Sequence, residues 1–141
     1  MTKLKIAVLI CALSHTLMAT NALDASICPT VDALRHHQVL GNNLEIRWDN
    51  TQNLRMANVT EYHVALKDSH NQTAFWTLLA SFFIEKNTSL VSLDGIQKQA
   101  QQTYAELRTQ PSLEVDAYGG FQQCLYLVNG NKQFIVAERS S

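Results

Sequence analysis

Cysteines, histidines and carboxylates are the residues of this chain that could do chemistry. There are three cysteines and five histidines. Cys11 sits in an apolar N-terminal run, leaving Cys28 and Cys124 as a pair 96 positions apart. An even pair in a chain sent to an oxidising compartment predicts one disulfide; the rival reading is two free buried thiols. A bridge closing a loop of that size is worth about 4.7 kcal/mol on the chain-entropy account. Two thiols with no CxxC spacing do not make a metal site.

The adjacent His36 and His37 are the first place to look for a metal. Neighbouring residues point about 100° apart on a helix and to opposite faces on a strand, so these two do not share one ion. His63 and His70 flank a turn, and Ser69 adjoins His70. A nucleophilic set needs Ser or Cys near His in space, and neither that adjacency nor any G-x-S-x-G elbow supplies it. Glu45, Asp49, Glu61 and Asp68 could furnish paired carboxylates for glycoside chemistry, but on alternating strands they read as a wet face. No Gly-rich phosphate loop occurs. The sequence therefore predicts no catalytic residue, no metal site and no cofactor.

Binding has one candidate. Tyr118 precedes Gly119-Gly120 and Phe121 follows them. An aromatic on a glycine-flanked loop is a usual component of a recognition surface. The alternative is that Tyr118 caps the end of the core. Asn58-Val59-Thr60, Asn71-Gln72-Thr73 and Asn87-Thr88-Ser89 match the N-glycosylation pattern, which has meaning only in a eukaryotic secretory route.

The elements that must position these residues follow a leader. Lys3 and Lys5 precede an apolar run from Ile6 to Met18, and Thr20-Asn21-Ala22 offers small residues for cleavage. Residues 1–22 read as a secretory signal peptide: the run is shorter than the roughly 20 residues of a spanning helix and is broken by His15. Ile10 before Cys11 argues against lipidation. Cutting after Ala22 takes 22 of the 141 residues and leaves 119, residues 23–141, as a single domain. Removing Lys3 and Lys5 from the 11 basic residues leaves nine against 12 acidic ones, a net charge of −3. That balance suits neither nucleic acid nor anionic membranes. The expected location is secreted or periplasmic, with no stable membrane insertion after cleavage.

Within the domain, Pro29 suits the first turn of a short helix reaching Arg35. Leu44, Ile46 and Trp48 alternate with polar residues as a strand, and Asp49 to Asn53 read as a polar loop. Tyr62, Val64 and Leu66 alternate as a second strand. Ala74 to Ile84 is apolar at both parities, and Phe75, Leu79 and Phe82 could also form a helical stripe; its aromatic content favours a central strand buried on both faces. Ile96, Ala100, Thr103 or Tyr104, and Leu107 recur at helical spacing from about Leu93 to Thr109, with Ser92 or Asp94 as cap and Pro111 as the stop. Gln97, Lys98, Gln101, Gln102, Ala105 and Arg108 form its solvated side. Asn129-Gly130 joins strands at Gln122–Val128 and Lys132–Glu138 into a hairpin. The predicted class is α+β: an antiparallel sheet of about five strands, one long helix packed on a face, and a short N-terminal helix.

Cys28-Pro29 soon after the leader, the helix ending at Leu107, and Cys124-Leu125-Tyr126 before a hairpin resemble small exported proteins of unknown function from Legionella-type intracellular bacteria. The resemblance implies export to the periplasm or beyond, with a role at a host interface, and brings no catalytic residues. Together these readings predict a secreted, non-enzymatic interaction protein binding a protein or other ligand through its sheet face or loops. The alternative is a small periplasmic or secreted hydrolase.

Overall fold

The structure, a computed structural model, describes residues 24–40, 44–51, 54–85, 92–115, 121–129 and 133–140. The predicted signal peptide at residues 1–22, Tyr118, the Gly119-Gly120 pair and the Asn87 sequon lie outside the described residues. A 3-10 turn, Asp24–Ile27, leads to the short helix α1, Val31–Arg35. Thr30 caps it, its side chain accepting from the Ala33 N–H at 3.0 Å. Pro29 thus stands just before the cap.

Three strands follow: β1 (Leu44–Thr51), β2 (Leu54–Lys67) and β3 (Thr73–Glu85). The long helix α2, Leu93–Ala105, comes next, then β4 (Ser112–Val115), β5 (Phe121–Val128) and β6 (Gln133–Ser140). They form one antiparallel sheet in the order β1-β2-β3-β6-β5-β4. The α+β class holds, but the sheet has six strands and not about five. The added strand is β4, whose four residues pair with Leu125 back to Gln122.

Strands one and two are longer than alternation alone suggested. Asp49 to Thr51 are not loop: they pair with Met56 to Leu54. α2 ends at Ala105, short of the expected Thr109, with Glu106 as C-cap and Ser92 as N-cap. Its stripe packs as expected: Ile96, Ala100, Tyr104 and Leu107 are buried.

The core lies between the helices and one face of the sheet. Ala57, Val59, Trp76, Leu78, Ala80, Phe82, Tyr126 and Ile135 bury against the α2 stripe and Leu34 of α1. Cys28 and Cys124 are bonded, with Cα atoms 5.9 Å apart. The Tyr126 hydroxyl donates to the Pro29 carbonyl, and Thr30 N donates to Lys67 O at 3.1 Å. These contacts tie the segment before α1 to the sheet. Burial pushes the Tyr126 hydroxyl far above its ordinary pKa.

One irregularity in β2 controls everything at the site. Register shifts between Glu61 and Val64, and His63 sits at φ 55°. One extra residue in a strand reverses the parity of all that follows. Ala57, Val59 and Glu61 therefore face the helices before the bulge, and Val64 and Leu66 face them after it, since Val64 pairs with buried Trp76.

Candidate functional site

The bulge turns Glu61 inward. The sequence pattern placed Glu61 on a wet face with Tyr62 inside; the structure reverses both. Glu61 is buried and Tyr62 is exposed. The burial of Glu61 is balanced by His37, whose Nε2 lies 3.0 and 2.9 Å from the two carboxylate oxygens. The side chains are 11% and 4% exposed, so neither group is open to a substrate.

α2 holds His37 in place through its supposed solvated side. Gln101 Nε2 donates to the His37 carbonyl at 2.6 Å, while Gln101 Oε1 accepts from Val39 N at 2.7 Å. Gln97 Nε2 donates to the Val39 carbonyl at 2.9 Å. Two glutamines thus bind segment 37–39 as a neighbouring strand would, satisfying backbone groups that would otherwise be buried unpaired. The expectation of a solvated helix side fails at Gln97 and Gln101, both half-buried, and holds at Lys98, Gln102, Ala105 and Arg108.

The Tyr104 ring meets His37 edge to face, with centroids 5.3 Å apart. Its hydroxyl is buried without a hydrogen-bond partner among the described residues. Burial first, and then the Glu61 charge, push its pKa well above the phenol value. The cluster is acid, base and phenol in a closed interior. Two of its members are spent on each other, and it offers no nucleophile.

The remaining chemical candidates are dispersed. His36 is exposed, its Nδ1 2.8 Å from the Asp32 carbonyl, so the two adjacent histidines do not act together. His70 Nε2 lies 3.2 Å from Ser26 Oγ on an exposed turn, and Ser69 Oγ donates to the Ser26 carbonyl at 2.8 Å. The Asp68 carboxylate is occupied by the N–H groups of His70 and Gln72. Glu45 and Asp49 pair in register with Thr60 and Met56, on the sheet face opposite Glu61. The four carboxylates therefore do not assemble. Among the described residues no three His, Cys, Asp or Glu side chains converge on a metal-sized site.

The second face of the sheet is where structure departs furthest from expectation. Antiparallel sheets with one open face usually make that face polar. Here Met56, Leu79, Phe83, Leu125, Leu127 and Phe134 lie on the face away from the helices, and no described element covers them. The expectation that β3 is buried on both faces holds for Trp76, Leu78, Ala80 and Phe82 on the helix side, while on the other side Ser81 is buried and Phe75, Thr77, Leu79 and Phe83 are not. Phe75, on the other side, is 66% exposed and Leu127 is 40% exposed.

Polar residues on this face bond to one another. Ser81 Oγ donates to Asn58 Oδ1 at 2.5 Å, and Asn58 Nδ2 donates to Asp49 Oδ2 at 3.1 Å. At the β1 rim, the Tyr62 hydroxyl donates to Glu45 at 2.5 Å, and Arg47 Nε donates to the other Glu45 oxygen at 2.8 Å. The Tyr62 hydroxyl, followed by Arg47, holds the Glu45 carboxyl below its usual pKa. At one end, His63, Phe75, Thr77, Glu138 and Arg139 line a surface cleft. Phe121 opens β5 opposite Ser140, while its partner in the expected binding loop, Tyr118, is outside the described residues.

No family model matches this chain, and no curated protein or solved structure shows significant similarity to it. The sequence points to a sheet face for binding without naming its residues, because an apolar strand such as β3 reads as core on both sides. The signal was the apolar run at both parities in β3, which requires cover on two sides while the chain offers only one long helix.

Proposed function

We propose that this is a secreted, non-enzymatic binding protein that recognises its partner through the open sheet face, with the Tyr118–Phe121 segment as a further contact. The observation that carries the reading is the set of apolar side chains on the face away from the helices, with Met56, Leu79, Phe83, Leu125 and Phe134 half-buried and Leu127 exposed, on a sheet whose other face is already packed. Contiguous exposed apolar surface of this kind marks interaction sites in soluble proteins. The disulfide fits export through the leader at residues 1–22 to the periplasm or beyond. No helix among the described residues is long and apolar enough to cross a membrane. The resemblance to exported proteins of intracellular bacteria adds a host interface as the place of action.

The hydrolase reading has one observation in its favour, the Ser26–His70 contact. It lacks an acid on that histidine, since Asp68 is engaged elsewhere.

Site-specific photo-crosslinking in the exporting organism tests the proposal. A crosslinker at Leu127 or Thr77 should give discrete adducts, and one at Lys98 on the outer side of α2 should give none. Equal labelling from Lys98, or none from the sheet face, contradicts it. So does turnover of an ester, peptide or glycoside that is lost in folded His70→Ala protein.

A further inference from the structure

The partner fitting this face most simply is another copy of the same sheet. We infer that two copies pack open face to open face as a symmetric dimer, an inference that rests on the open face being the working surface.

Area is the first argument. Five strands taken over eight residues and the four-residue β4, about 4.8 Å apart with about 3.3 Å per residue, span roughly 700 Å². Two such faces bury about 1,400 Å², within the range of stable protein–protein interfaces. The layout is the second. Apolar residues occupy the middle: Met56 and Phe83 in one row, Phe134 and Leu127 in the next, Leu79 and Leu125 in a third. Charged groups stand on the edge strands, with Glu45, Arg47 and Asp49 on β1 and Glu114 on β4, and Glu138 lies toward one end of β6. An apolar centre with a polar rim is the anatomy of a protein interface.

Closure also leaves one polar chain across β1, β2 and β3 satisfied, because its members are already matched inside one chain. Ser81 bonds Asn58, and Asn58 bonds Asp49. A buried polar group without such a partner would cost about 1–3 kcal/mol. Shape is the last argument. Two sheets of one sequence share the same twist and pack aligned at about −30° along their whole length.

Sedimentation of the oxidised, exported protein decides this. From about 0.1 to 100 µM, a range covering interfaces of this size, the wild-type chain should sediment at twice the single-chain mass. Phe134→Glu should weaken association at least about tenfold. Leu127→Lys, at a partly exposed position that tolerates a charge in the monomer, should do the same. Lys98→Glu on the outer side of α2 should leave association unchanged. A single-chain mass for the wild type throughout overturns the dimer while leaving a different partner for the face. A dimer that survives both face substitutions with the fold intact also overturns it, placing the contact elsewhere.

Discussion

The two faces of the sheet are built from similar residues and do different work. Phe82 and Phe83 are neighbours on β3; Phe82 is fully buried under the helices, while Phe83 is only half-buried on the other side. The difference lies in what the rest of the chain can supply. One long helix and one short one cover a single face, and the disulfide and the glutamine-bound segment 37–39 complete that cover. Nothing described is left for the second face. Side-chain hydrophobicity therefore does not report core here; the number of covering elements does.

The comparison is broken most severely at the buried His37–Glu61 contact. His37→Ala should destabilise the fold by about 3–5 kcal/mol, because it leaves the Glu61 carboxylate buried without its partner. A loss below about 1 kcal/mol in a denaturant melt would mean Glu61 is open to water. Leucine truncations sharpen the contrast next. Leu107→Ala on the fully buried side should cost about 2–5 kcal/mol. Leu127→Ala, 40% exposed, should cost less than about 1 kcal/mol in dilute protein. Similar losses at the two sites would erase the distinction. Tyr104→Phe is a smaller effect of opposite sign. It removes a buried hydroxyl that has no partner, so stability should stay level or rise by up to about 1 kcal/mol. A clear loss would reveal a hydrogen bond at that atom.

The smallest effect is at the rim. The carboxyl of Glu45 titrates below its usual value because the Tyr62 hydroxyl and Arg47 favour its charged form. A lowered folded-state pKa gives stability that is complete above the unfolded value and fades as pH falls through the folded one. Titration by NMR should show the Glu45 midpoint returning toward the ordinary carboxylate value in Tyr62→Phe. An unchanged midpoint would remove the hydroxyl as its main cause.

Much of the covered face was legible in the sequence. Counting cysteines after the leader gave the Cys28–Cys124 bridge, and helical spacing gave the α2 stripe. Asn129-Gly130 marked the β5–β6 hairpin, and Asn129 adopts the positive φ of 48° such a turn asks for. β4 was missed because four residues after Pro111 carry too little alternation to register as a strand. The His37–Glu61 contact was missed because a bulge at His63 breaks the period on which alternation depends. A clue was present: Ala57 and Val59 are odd-numbered, Val64 and Leu66 even-numbered, and no straight strand puts all four on one face. The roles of Gln97 and Gln101 are tertiary, since nothing in a helix pattern says that a distant segment will lie against it.

The most direct test of the two-face account is a paired denaturant melt of Phe82→Ala and Phe83→Ala in dilute, oxidised protein. These residues share a strand and a side-chain type and differ in the face they occupy. The account predicts a loss of about 3–5 kcal/mol for Phe82→Ala, the cost of emptying a packed site. It predicts less than about 1.5 kcal/mol for Phe83→Ala, whose surface is not closed by the monomer. Equal, large losses at both positions would contradict it, showing the second face to be core and leaving no open surface for a partner.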